Sequence, residues 1–166
     1  MATAGEEAGA GTARLVANEF GPVAQQSRHT LAVDVEEDAV ALADEQRVVQ
    51  ILRNLVENAL VHTPPGTQVL LRAERTRAGV SLSVEDDGPG IPPEQLGHVF
   101  ERFYRGDGSR ASGSGLGLAI ALELARVMGG TLALEGSAAR TVFRLTLPSA
   151  DATEGAVAPP LEPVEA

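Results

Sequence analysis

A chain of 166 residues fits one hydrophobic core, which is typical up to roughly 200 residues. It contains no cysteine, and all of its basic residues are arginine; this excludes disulfides, thiolate metal sites and every phosphate-binding or kinase motif built on a required lysine. The net charge of −10 argues against nucleic acid or anionic membrane as partners, since clustered positive charge would have to supply the attraction.

Residues 1–11 are small, polar and acidic, and residues 149–166 are rich in Ala, Pro and Glu. Neither end can bury enough apolar surface to offset its ordering entropy, so both read as disordered tails around an ordered domain at 12–148. Arg14 to Gln26 carries Leu15, Val16, Phe20 and Val23 at helical spacing, interrupted by Gly21-Pro22. Thr30 to Val35 alternates apolar and polar residues and Ala39 to Ala43 is a second short apolar run. These two read as strands, with a hairpin as one way to join them.

Asp44 precedes Glu45-Gln46-Arg47 and can N-cap a long helix, its acidic first turn complementing the dipole. That helix runs to about His62, where Thr63-Pro64-Pro65-Gly66 stops it. Thr67 to Arg77 and Val80 to Val84 read as strands around a turn at Ala78-Gly79. A connection rich in Gly, Pro and charge follows, from Glu85 to about Ser114; loops this long inside a domain are usually functional. Leu116 to Met128 is a helix with Leu116, Ala119, Ile120, Leu124 and Val127 on its apolar side, ended by Gly129-Gly130. Thr131 to Glu135 and Thr141 to Leu147 make a closing hairpin. The order predicts an α+β sandwich, a largely antiparallel sheet with helices on one face. No run approaches the ~18 apolar residues of a membrane span and no leader pattern is present, so the expectation is a soluble, cytoplasmic protein without membrane insertion.

Three segments carry the chemistry. On the helix 44–62 the stripe Val48, Ile51, Leu52, Leu55 and Ala59 faces the sheet and leaves Asn54, Glu57 and Asn58 on the opposite flank at i, i+3, i+4. Asparagine costs helix propensity, so two in one helix interior call for a reason. Asn58 can offer a carbonyl oxygen to Mg²⁺, a hard cation that takes few protein ligands, and Asn54 can hold a phosphate or a metal-bound water. A solvated helix face would carry the same residues.

The second segment, Asp86-Asp87-Gly88-Pro89-Gly90, follows a strand directly. A carboxylate there can accept from an exocyclic amine such as adenine N6, and the glycines permit close backbone approach; a plain turn uses the same residue types. The third, Gly113-Ser114-Gly115-Leu116-Gly117-Leu118, runs into a helix N-terminus, where free amides and the positive dipole end favour an anion. It lacks the third glycine of a dinucleotide fingerprint. The three histidines, His29, His62 and His98, are too scattered for a zinc cluster.

In this order the segments resemble the asparagine box and the two glycine boxes of the histidine-kinase ATPase family. Val99-Phe100-Glu101-Arg102-Phe103-Tyr104-Arg105 between the last two resembles its phenylalanine box. The resemblance spans about Val23 to Pro148. It implies a Bergerat-type two-layer sandwich with a mobile ATP lid at about 94–114, binding ATP and Mg²⁺. It implies Asn58 as metal ligand with Asn54 as its catalytic partner, Asp86 as the adenine contact, and Gly88, Gly90 and Ile91 shaping that loop. Gly113, Gly115, Leu116, Gly117 and Leu118 fall on the phosphate side. Phe100 and Phe103 would anchor the lid, and Arg102, Tyr104, Arg105 and Arg110 would reach the nucleotide from it.

Two departures stand out. Where the family often shows a basic residue and tyrosine after its asparagine, this chain has Val61 and His62, so a lid arginine would have to supply that phosphate contact. No histidine here is followed by an acidic residue and then Thr/Asn-Pro, the mark of the phosphoacceptor hairpin. The acceptor histidine is therefore expected from another chain or from an N-terminal region of a longer parent, which could be membrane-anchored, with a response regulator downstream. The water-activating glutamate of the gyrase and heat-shock branches would stand where Asn54 is, so efficient hydrolysis by this domain alone is not expected. Serine transfer, as in anti-sigma-factor kinases, and nucleotide-gated binding without transfer are the alternatives.

Overall fold

The computed structural model describes residues 7–101, 116–137 and 139–149. Helix α1 (Ala10–Gln26) is followed by β2 (Thr30–Val35), β3 (Val40–Leu42), α2 (Glu45–His62), β4 (Gln68–Thr76) and β5 (Gly79–Asp86). A 3₁₀ turn at Pro93–Gln95 precedes α3 (Gly117–Val127), β6 (Thr131–Ser137) and β7 (Arg140–Leu147), while β1 (Glu7–Gly9) opens the described chain. Five strands form one sheet in the order β2-β4-β5-β7-β6, all antiparallel except β2 beside β4. The helices share one face, α1 against β2 and β4, α2 over β4 and β5, and α3 over β6. This is the expected two-layer α+β sandwich.

The core is built from side chains that match in register. Ala73, Leu82, Leu145 and Leu132 form one rung across β4, β5, β7 and β6, and Leu71, Val84, Phe143 and Leu134 form the next. Helix α2 closes over them with Val48, Ile51, Leu52, Leu55, Val56, Ala59 and Leu60, all buried at alternating spacings of three and one. Each Leu, Ile or Val so buried contributes about 1.5–3 kcal/mol. The helix starts where Asp44 accepts from the amides of Gln46 and Arg47 at 2.9 and 3.2 Å, and it stops at Thr63, which adopts an extended conformation before Pro64.

Four expectations are corrected. Strands β2 and β3 are not a hairpin: β2 runs parallel to β4, and α2 supplies the long crossover that a parallel pair needs. Strand β3 pairs instead with β1, and Ala41 bridges to Ser149. Residues 7–11 and Ser149, expected in the tails, are thus paired or helical, because backbone pairing and buried Ala8, Ala10 and Ala41 compensate for weak side-chain hydrophobicity. Helix α1 passes through Gly21-Pro22 without stopping, since the row Ala10, Ala13, Ala17 and Ala24 buries against the core and Pro22 itself points to solvent. Finally, α3 turns Ala121 and Ala125 inward and leaves Ile120 and Val127 44% and 58% exposed. The small row Gly117, Ala121, Ala125 at i, i+4, i+8 lets α3 lie close to α2, and that close fit overrides the larger residues in setting the phase. Among the described residues, no helix is long and apolar enough to cross a membrane.

Candidate functional site

Helix α2 is the element on which the site is assembled. With its apolar stripe on the sheet, Asn54 and Asn58 emerge half-buried and Glu57 exposed. Asn54 Nδ2 donates to the carbonyl of Gly117 at 3.0 Å, and its Oδ1 accepts from Gln50 Nε2 at 2.9 Å. This bond joins the asparagine flank to the start of α3 across 63 positions of sequence. Both ends of the Asn54 amide are therefore engaged within the protein. Asn58, one turn further along the same flank, has no hydrogen-bond partner among the described residues.

Strand β5 delivers the carboxylate. Val80, Leu82, Val84 and Asp86 point to the helix side in alternation, so Asp86 ends an apolar row and is 7% exposed. Its rung neighbours are Val69 and Thr141. Asp86 Oδ1 accepts from the amide of Gly88 at 3.0 Å. Burial pushes the carboxyl above the usual aspartate value of 3.8; the Gly88 hydrogen bond pulls it back, Asp87 raises it further and His29 lowers it. Next to it, Asp87 Oδ1 accepts from Gln68 N at 2.8 Å and Asp87 N donates to Gln68 O at 3.2 Å, which ties the loop to the start of β4.

The loop also touches α2. A Cβ at Gly88 would fall 2.8 Å from Thr63 Cγ2 and 3.1 Å from Asp86 Oδ1, so only glycine fits. Gly90 takes φ 82°, in the left-handed region that favours glycine. Ile91 packs on the edge of the core. From Asn54, bonded to Gly117, to Thr63, packed on Gly88, α2 rises about 13 Å, with Asn58 between them.

Where the phosphate side is expected, Leu116 is the N-cap of α3, with its carbonyl accepting from Ile120 N at 2.8 Å. Gly117 is the first helical residue, and Leu118 packs on the core. Gly113 and Gly115 lie outside the described residues, as do Arg102, Phe103, Tyr104, Arg105 and Arg110 of the expected lid. Phe100 sits edge-on to Phe143 of β7 with centroids 5.9 Å apart, so the lid's entry is fixed to the sheet. A groove of about 480 Å³ lined by Phe20, Val23, Asn54, Glu57, Leu60 and Val61 runs between α1 and α2; neither Asp86 nor Gly117 lines it.

Three residues around Asp86 carried no sequence signal. Thr63 read only as part of a helix stop, His29 as a scattered histidine and Thr141 as the first residue of a strand. Their proximity depends on the β5–β7 register and on the ends of α1 and α2 converging, neither of which is local in sequence.

Residues 43–151 match the family described as histidine kinase-, DNA gyrase B-, and HSP90-like ATPase. The sensor histidine kinase TrcS of Mycobacterium tuberculosis is 45% identical over 112 residues, 63% of this chain and 22% of TrcS. The signal transduction histidine-protein kinase AfsQ2 of Streptomyces coelicolor is 39% identical over 150 residues, 84% of this chain and 28% of AfsQ2. The chain thus spans about a quarter of the length of these relatives. Among solved structures, a nucleotide-free catalytic domain of histidine kinase ThkA aligns with a TM-score of 0.76 at 27% identity, covering 86% of this chain and 94% of that one. The mycobacterial sensor histidine kinase MprB aligns at 0.73 and 28%, covering 86% and 97%. The chain therefore belongs to the histidine kinase-, DNA gyrase B-, and HSP90-like ATPase family, in its histidine-kinase branch.

Proposed function

We propose that this domain binds Mg²⁺-ATP along α2, with adenine at Asp86 and the phosphates at the start of α3, and passes the γ-phosphoryl to a histidine on a helical hairpin. The observation that carries this reading is that α2 touches both loops, Asn54 at Gly117 and Thr63 at Gly88. A ligand lying between those contacts meets a desolvated carboxylate at one end and a helix N-terminus at the other. The net charge of −10 would repel a free triphosphate, so its charge must be neutralised locally. The α3 dipole and the arginines of the expected lid would supply part of this, and a bound Mg²⁺ would supply the rest.

Among the described residues no group of three His, Cys, Asp or Glu side chains could cage a metal. Mg²⁺ takes few protein ligands, and Asn58, half-buried on the α2 flank, would offer it a carbonyl oxygen. In the transfer, the acceptor imidazole nitrogen bonds to the γ-phosphorus as the bond to the bridging oxygen breaks and ADP leaves. The domain's work is positioning and electrostatics. A response regulator would then take the phosphoryl group. The solved complex of ThkA with response regulator TrrA, whose kinase aligns with this chain at a TM-score of 0.72, supports a response regulator as the partner.

Mixing the domain with a helical hairpin that bears an acceptor histidine, and with γ-labelled ATP and Mg²⁺, tests the reading. Acid-labile label on histidine is expected. Label on serine, or nucleotide binding without any transfer, would replace this proposal with a serine kinase or a binding module. Asn58→Ala should abolish the tightening of ATP binding by Mg²⁺; a variant still tightened by the metal would show that the ligand lies elsewhere.

A further inference from the structure

His29 is buried in the turn between α1 and β2, 8% exposed, where the C-terminal ends of α1 and α2 come together. Its Nε2 lies 2.8 Å from Thr63 Oγ1. Thr63 Oγ1 is itself 2.6 Å from the carbonyl of Ala59, to which it donates its only hydroxyl proton. The histidine must therefore donate from Nε2. The far edge of the ring is held by Ser27, with Nδ1 2.8 Å from its Oγ and 3.1 Å from its carbonyl oxygen.

Thr63 in turn packs its Cγ2 against Gly88, whose amide donates to Asp86 Oδ1 at 3.0 Å. Three turns far apart in sequence are thus linked in one line, His29 to Thr63 to Gly88 to Asp86. We propose that His29 is a positioning residue that, through Thr63 and Gly88, fixes the Asp86 carboxylate at the angle that selects an exocyclic amine on a purine. This rests on the reading of Asp86 as the base contact.

The link is directional in chemistry. Leucine at 29 would leave the Thr63 hydroxyl without its donor, so that only the bond to the Ala59 carbonyl would hold Thr63 against Gly88. Glutamine can place an amide N–H near the position of Nε2 and keep the bond. Valine at 63 has the same shape but loses both hydrogen bonds that hold its methyl against Gly88.

The test uses the full chain with Mg²⁺, titrated calorimetrically with ATP and with ITP, which carries the same triphosphate but a keto oxygen in place of the amine. Wild type should prefer ATP by about tenfold or more. His29→Leu and Thr63→Val should each lose most of that preference through weaker ATP binding, with ITP affinity unchanged within about twofold; His29→Gln should restore it. Thermal unfolding confirms that each variant is folded, and Thr63→Val decides the matter if His29→Leu is not. Folded variants that keep the wild-type ratio of ATP to ITP, or that weaken both nucleotides equally, would overturn the proposal. A wild type that binds ATP and ITP alike would instead remove the Asp86 reading and the proposal with it.

Discussion

Glu85 and Asp86 are adjacent, both buried, and opposite in circumstance. Glu85 faces the outer side of the sheet, where Arg72 Nε reaches one carboxylate oxygen at 3.1 Å and Arg140 reaches the other. Arg72 also pairs with Asp34 at 2.9 Å. Asp86 faces the helices, and its carboxylate has one backbone amide and no guanidinium among the described residues. A buried charge normally neutralises or finds a partner. Glu85 has found its partners within the fold, whereas Asp86 is held ready at the cost of a raised pKa. On the proposed reading, a ligand would complete the site at this desolvated group.

The sharpest way to break this comparison is to neutralise Asp86 without changing its shape. Asp86→Asn keeps an oxygen for the Gly88 amide but presents an NH₂ where the base offers its own. ATP affinity should fall roughly ten- to a hundredfold, about 1.4 to 3 kcal/mol, while the ligand-free domain is at least as stable as wild type. Calorimetric titration beside urea unfolding reads both, and unchanged ATP affinity would remove the base contact. The reverse pattern is expected next door. Glu85→Ala leaves Arg72 and Arg140 without their shared partner and should cost about 1 to 2 kcal/mol of folding stability, discounted because both arginines are partly exposed. Its side chain points away from the helices, so ATP binding should stay within about twofold.

The desolvation of Asp86 also makes its contribution depend on pH. Because the folded state raises the pKa of Asp86, the folded chain holds a proton there that the unfolded chain has already released. The stability this group contributes is fully present below its ordinary value of 3.8 and is lost as pH rises through the raised value. Any stability advantage of Asp86→Asn over wild type should therefore be largest near neutrality and shrink as pH is lowered toward 4. ATP binding should move the other way, weakening on acidification as the acceptor is protonated. Urea unfolding of both proteins at several pH values checks this, and a difference that does not change with pH would mean that Asp86 is no longer desolvated once solvent rearranges.

Much of this was legible in sequence. The α2 stripe and its Asp44 cap are local patterns, and burial on α2 followed the stripe residue by residue, whereas β5 is buried along its whole length. The order of the asparagine, aspartate and glycine segments was enough to name a family before any distance was known. What escaped was non-local. The phase of α3 depended on how closely Gly117, Ala121 and Ala125 let it approach α2, and its own larger residues suggested the other face. The pairing of β2 with β4 depended on a crossover, and the partnership of β1 with β3 on a strand too short to read. The environment of Asp86 was likewise hidden, because Thr63, Thr141 and His29 become its neighbours only when three turns and two strands are in register.

The smallest expected effect lies on the outer face, one rung from Glu85. Ser83 is 1% exposed, and its hydroxyl has no hydrogen-bond partner among the described residues. Its rung neighbours are Arg72 on β4 and Arg144 on β7, yet both guanidiniums are committed elsewhere: Arg72 to Glu85 and Asp34, Arg144 to Ser81 and Glu135. The charged face thus satisfies its carboxylates and leaves one hydroxyl desolvated beneath them. Removing it should cost nothing and recover part of that penalty. Ser83→Ala is expected to leave ATP affinity unchanged and to raise stability by up to about 1 kcal/mol, read as a higher urea midpoint at constant slope. A loss of stability instead would mean that the hydroxyl bonds to one of its arginines in solution, and that the outer network reaches one residue further than the structure shows.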